Sequence, residues 1–215
     1  MALLTLDPLD LAALLCSRVC HDVISPVGAI VNGLEVMEDE NDPSMKEFAL
    51  DLIRKSARQA SARLQFARIA FGAAGSAGAA IDLGDAEVVA KGFFQDDKMQ
   101  LVWGAPRLLL PKNRVKLLLN LLILASHAIP RGGVIDVKVE GDEQASTFTI
   151  AAKGINARIP PHSQALLRGE PENDNVDAHG LQIFYAGLVA RAANMGVELS
   201  IDGDTVTISG FPLPA

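Results

Sequence analysis

Cys20-His21-Asp22-Val23-Ile24-Ser25-Pro26-Val27-Gly28-Ala29-Ile30 is the stretch whose reading decides the fold. On a 3.6-residue period His21 shares a face with Ser17, Arg18, Ser25, Gly28 and Asn32, while Leu15, Val19, Val23, Pro26 and Ile30 fall on the other side. The segment therefore reads as an amphipathic helix whose imidazole points outward from a floor of small residues. Upstream, Asp7-Pro8 offers a helix start, an acceptor at the cap followed by Pro at the first helical position. The helical pattern runs to about Glu40, roughly 50 Å at 1.5 Å per residue. Pro26 is expected to kink the helix, because its ring removes one backbone donor and crowds the preceding turn. Asn41-Asp42-Pro43-Ser44 is turn chemistry with a second helix start, and from Ser44 to about Phe71 the positions Met45, Phe48, Leu52, Leu64, Ala67 and Phe71 keep a helical period. Neither helix can bury its apolar stripe alone. A helical hairpin with an open seam is most simply completed by a copy of itself, so a dimeric four-helix bundle is expected; the alternative is a hairpin packed only on the rest of its own chain.

The 215 residues suffice for one large domain or two small ones. Aromatic residues make up 5% of the chain against 49% hydrophobic residues, so the core should be aliphatic. A formal net charge of -7 argues against nucleic acid as a partner, since phosphate binding needs concentrated Lys and Arg. Cys16 and Cys20 stand four apart with no further Cys or His ligands at suitable spacing nearby, and are expected to be two buried, reduced thiols. No basic segment precedes an apolar run at the N-terminus, and the run from Leu117 to Ile123 is far shorter than the roughly 20 residues of a membrane span. A cytoplasmic protein without a membrane partner is the expectation.

Gly72 to Ala80 is a run of small residues rich in Gly and reads as a linker, since neither a preceding strand nor a following Lys-Ser or Lys-Thr makes it a phosphate loop. Beyond it the pattern is mixed: a helix over 85–97, a strand over 99–103 and an apolar helix over 111–128. The alternating strand Val134–Glu140 pairs with 147–152 across Gly141-Asp142. A short helical piece over 160–169 and a helix over 176–195 follow, and a final hairpin of 197–201 with 205–209 turns at Asp202-Gly203-Asp204. Helices grouped on one face of a mixed sheet give an α/β sandwich, so the whole is α+β.

This order of elements, with a His box on the first helix, resembles a histidine kinase core: a dimerisation and phosphotransfer hairpin followed by a Bergerat-type ATPase domain. The strongest local matches are Leu117-Leu118-Leu119-Asn120-Leu121-Leu122-Ile123-Leu124, similar to the N-box helix, and His179-Gly180-Leu181-Gln182-Ile183, similar to the glycine-rich box. The departures are as informative. The second N-box Asn, which holds Mg²⁺ in the kinases, is replaced by Leu124, which has no oxygen ligand to offer. The adenine-recognising Asp is absent from Ala151-Ala152-Lys153-Gly154-Ile155-Asn156-Ala157-Arg158, and Asp177, Ala178 and His179 would obstruct or repel phosphates before Gly180. The chain is closer to the ChpT-type histidine phosphotransferases of alphaproteobacterial phosphorelays, a resemblance that covers its whole length.

That resemblance implies a hairpin phosphotransfer domain over residues 1–75 and a degenerate ATPase-like domain over 81–215. It implies a homodimer that passes a phosphoryl group through His21 between the receiver domain of a hybrid histidine kinase and those of response regulators. No cofactor or metal of its own is expected, Mg²⁺ being carried by the partner receiver; the alternative is an ATP-dependent kinase with divergent boxes. Around His21, Ser17, Ser25 and Gly28 leave the ring approachable. Asp22 is either a hydrogen-bond acceptor for an imidazole or a solvated acid, and Arg18, one turn before, either meets the phosphoryl group or a receiver acid or is solvated. Ile24, Gly28, Ala29, Arg63, Leu64 and Ala67 are the expected docking residues. His127, His162 and His179 lack the small-residue surround and are not expected to accept phosphate.

Overall fold

The computed structural model describes residues 4–39, 42–72, 80–94, 96, 98–170, 176 and 180–214. The chain opens with two long antiparallel helices, α1 (Pro8–Asp39) and α2 (Pro43–Ala70). Asp7 caps the first, its Oδ1 accepting from the Leu9 amide at 2.8 Å. At the start of α2 the Asp42 carboxylate accepts from the Ser44 amide at 2.9 Å and from the Ser44 hydroxyl at 2.8 Å, with Pro43 in the first turn. The helices approach closely at Gly33, where a Cβ would lie 2.6 Å from Ile53 Cγ1. By length and composition α1 could span a bilayer. Its central turns instead carry the Arg18–Asp22 ion pair and pack against α2.

The cap makes one pH prediction. The Ser44 amide, then its hydroxyl, hold the Asp42 carboxyl below its ordinary value of 3.8. A depressed folded-state pKa stabilises fully above the unfolded value and is lost as the pH falls through the folded one. Asp42→Ala should therefore lower the urea midpoint at neutral pH and flatten its decline in the acid range, with wild type and variant converging once the carboxylate is protonated.

Strand β1 (Ala80–Asp82) leads into α3 (Leu83–Phe94), whose first turn is capped by Asp82: its Oδ1 accepts from the Gly84 amide at 2.6 Å. The helix thus starts before Asp85 and ends short of Asp97. Strands β2 (Met99–Gly104) and β3 (Leu109–Pro111) precede α4 (Lys112–Ala128), and β4 (Gly133–Glu140) and β5 (Thr147–Lys153) form the expected hairpin. After α5 (Ser163–Arg168) and α6 (Leu181–Ala192) the chain closes with β6 (Met195–Asp202) and β7 (Thr205–Pro212). The expected helix over 176–195 begins at Leu181 and ends at Ala192, its end set by Asn194, whose left-handed φ of 52° an Asn tolerates and a helix does not. Sequence reading missed β1 and β3, which pair antiparallel as a small second sheet; three-residue strands leave too little alternation to detect. The expected linker falls largely on residues 73–79, outside the described residues.

The main sheet runs β2-β4-β5-β7-β6, with β2 and β4 parallel and the other neighbours antiparallel. The parallel pair is joined through α4, as a parallel connection requires a crossover. Ile135, Val137, Val139, Phe148, Ile150, Val206 and Ile208 are buried on one face under the helices, while the alternate residues reach outward. Helix α4 sits in the middle of this layer. Its residues from Leu117 to Ala125 are buried without a break, and each of its leucines withdrawn from water contributes roughly 1.5–3 kcal/mol. The hairpin rests on this layer through the end of α2: Phe66 stacks on Phe93 with ring centroids 4.2 Å apart, and Phe71 meets Tyr185 at 5.7 Å.

Candidate phosphotransfer site

His21 projects from the middle of α1 with its side chain 87% exposed. Ser17, Ser25, Gly28 and Asn32 on the same face are also exposed, and nothing lies within 4 Å of where a Gly28 side chain would begin. The imidazole is thus reachable by another molecule along the helix face.

Asp22 sits beside it and is mostly covered. Its Oδ2 accepts from Arg18 Nε at 3.2 Å, whereas its Oδ1 lies 3.9 Å from His21 Nδ1, beyond hydrogen-bond range. Asp22 therefore holds Arg18 one turn down the helix rather than orienting the imidazole of its own chain. Arg63, expected from the sequence to be a docking residue, donates from Nη1 to the backbone carbonyl of Asp22. The reason is Pro26. A helix carbonyl normally accepts from the amide four residues on, and for Asp22 that residue is the proline, which has none. Arg63 reaches across from α2 to satisfy the acceptor that Pro26 leaves open, and this fastens the turn bearing His21 to the second helix.

Of the other expected docking residues, Ile24 is 71% exposed beside His21, Gly28 is exposed and Ala29 is half-buried toward α2. Leu64 and Ala67 lie further round the hairpin, in an apolar groove with Leu15, Val19 and both cysteines. Cys16 and Cys20 are exposed free thiols, not buried ones, because they stand on the open rim of this groove and not in the packed seam between α1 and α2. With Leu9, Ala13, Ile24, Val27, Val31 and Leu34 they form an exposed apolar stripe at intervals of three and four residues. By the helical period His21 stands between this stripe and Arg18.

On the Arg18 side a cleft of about 500 Å³ separates α1 from the sheet domain, and His127, Arg158, Pro160 and Ile183 line it with Arg18. Sequence reading treated His127 as a helix-end residue and Arg158 only as part of a lost nucleotide box. Nothing local marks them as neighbours of Arg18, since the three meet only when the hairpin docks. His162 stands at the start of α5, and His179 lies outside the described residues.

The described nucleotide-box positions are taken up by contacts within the fold. Leu124 is 1% exposed and packed in the core. Asn120 is fully buried: its Nδ2 donates to the carbonyls of Ala70 at 3.0 Å and Lys116 at 2.8 Å, and its Oδ1 accepts from Gln182 Nε2 at 2.7 Å. At the expected adenine segment, Lys153 Nζ lies 3.8 Å from Asp204 Oδ2 and the Gly154 amide donates to the Asp204 carbonyl. Among the described residues no cluster of three His, Cys, Asp or Glu side chains could hold a metal ion.

Residues 83–205 match the family described as the histidine phosphotransferase C-terminal domain. The chain belongs to the histidine phosphotransferase family. It is 50% identical over 205 residues to the protein phosphotransferase ChpT of Brucella abortus (strain 2308), covering 95% of this chain and 97% of that one. A solved structure described as a bacterial phosphotransferase superposes with a TM-score of 0.87 at 48% identity, over 97% of this phosphotransferase and the whole of that chain. The family resemblance and the α+β architecture expected from the sequence are both borne out, and the function is that of a phosphorelay phosphotransferase.

Proposed function

We propose that His21 is the phosphoryl carrier and that the protein shuttles phosphate between the receiver of a hybrid histidine kinase and the receivers of response regulators, in the cytoplasm and without using ATP. The observation that carries this reading is the exposed imidazole on a floor of small residues, fixed from behind by the Arg63 bond and flanked by Arg18. The neutral ring attacks the aspartyl phosphate of a docked receiver through Nε2, the nitrogen away from Asp22. The N–P bond forms as the O–P bond breaks, and the aspartate leaves as a carboxylate. The receiver brings Mg²⁺ and the electrostatics of the transfer, so this chain's task is positioning. Arg18, steered by Asp22, meets the phosphoryl oxygens or a receiver acid. Ile24, Ser25, Gly28 and Ala29 receive the docking domain, together with Leu64 and Ala67 of α2, while Arg63 supports them through the Asp22 carbonyl.

The apolar stripe of α1 favours a homodimer: a second copy of the hairpin would cover Leu9, Val27, Val31 and Leu34 and complete a four-helix bundle, leaving His21 at its edge. In this reading residues 1–75 carry the transfer and the dimer contact, and 81–215 is a degenerate ATPase-like domain that supports them. The test is to mix the purified protein with radioactive ATP alone and, separately, with a phosphorylated receiver. Acid-labile label on His21 is expected only in the second mixture, and label from ATP alone would make the protein a kinase.

A further inference from the structure

Asn120, at the first N-box position, is fully buried and makes three side-chain hydrogen bonds. Asn120 spans three elements: the Ala70 carbonyl at the end of α2, the Lys116 carbonyl of its own helix α4, and the Gln182 amide of α6. The last carbonyls of a helix have no partner within it, so the Asn120 amide closes one that burial would otherwise strand. The Ala70 bond crosses the seam where the hairpin meets the sheet domain, and the Lys116 and Gln182 bonds hold the Asn120 amide in place from the sheet-domain side. The rest of that seam is largely apolar, with Phe66 against Phe93 and Phe94 and Phe71 against Tyr185. Apolar contact is non-directional and tolerates small rotations, whereas a buried hydrogen bond fixes direction and length.

We propose that Asn120, seconded by Gln182, is a positioning residue for receiver docking: a buried latch that holds the hairpin at the angle where His21 and the Arg18–His127–Arg158 cleft form one continuous surface. Arg18 ties the two halves together, since it both lines the cleft and pairs with Asp22 beside His21. Releasing the latch lets the hairpin sample other angles, so only a fraction of molecules presents the complete surface. The apparent affinity for the receiver falls by that fraction, while the chemistry at His21 is untouched. This inference rests on the phosphotransfer reading above.

The test compares Asn120→Leu, which removes the latch, and Gln182→Leu, which frees one arm of it, with the wild type. Two phosphoryl donors are used: a phosphorylated receiver, and phosphoramidate, which is too small to feel the surface. For Asn120→Leu the KM for the receiver should rise about tenfold, as when the competent population drops to a tenth, with kcat within about twofold. For Gln182→Leu the rise is smaller and in the same direction, and it carries the test alone if Asn120→Leu does not fold. Labelling of His21 by phosphoramidate should equal that of wild type in both variants. A folded variant with unchanged KM, or one that loses phosphoramidate labelling together with receiver transfer, overturns the latch. Wild-type protein that takes phosphate from neither donor overturns the phosphotransfer reading instead.

Discussion

His21→Ala is expected to lower phosphate acceptance from a phosphorylated receiver to background, a loss of about a thousandfold or more, as when any covalent nucleophile is removed. The fold should not notice. The side chain is 87% exposed and makes no hydrogen bond to Asp22, so stability should stay within about 0.5 kcal/mol of wild type. Matching thermal melts of variant and wild type would confine the defect to the transferred group. His162→Ala should transfer normally, and His127→Ala, which alters the docking cleft, should still be labelled by phosphoramidate at His21, because neither ring stands on the open face of α1. Transfer that persists in the His21 variant, transfer lost in the His162 variant or labelling lost in the His127 variant would move the carrier elsewhere.

Leu124→Asn has the opposite profile. By sequence it restores the metal-holding residue of the kinase N-box. By structure it places an amide at a position 1% exposed in the centre of α4, while Asn120 stays bonded to Ala70, Lys116 and Gln182. The lost leucine packing and the buried amide should together cost about 2–4 kcal/mol. That lowers the melting temperature by about 5–15 °C for a chain of this size. Denaturant midpoints measure the loss, and calorimetric titration with Mg-ATP should show no gain of binding. A variant of undiminished stability that takes up ATP with magnesium would reverse the reading of the cleft. The two substitutions separate the roles of the two halves: one removes activity without stability, the other stability without touching the site.

Several parts of the architecture were legible because they are written in short-range chemistry. The bounds of α1 and α2 follow from Asp7-Pro8 and Asp42-Pro43, whose carboxylates reach amides two residues away. The β4–β5 hairpin follows from strict alternation into Gly141-Asp142, and the exposed row around His21 from the helical period. Where the governing contact is longer in range, the reading failed. Small thiols are usually buried, but burial is a property of the packed surface, and Cys16 and Cys20 stand on the open rim of the groove between α1 and α2. The end of α6 was set by the turn at Asn194 and the start of β6, not by its apolar content.

Pro26 marks the division between what the chain states and what folding supplies. From the sequence alone it follows that a proline at this position leaves the Asp22 carbonyl without its helical partner, because the next donor in the ladder is missing. Only the packing of two helices could decide that Arg63, 41 residues on, would answer it. In the same way the sequence sets Asn120 four residues before Leu124 in an apolar helix, and only the docking of α2 and α6 on α4 turned its amide to the Ala70 carbonyl and Gln182. Local bonding needs are set by residue type, whereas the groups that meet them are chosen by close packing between distant segments.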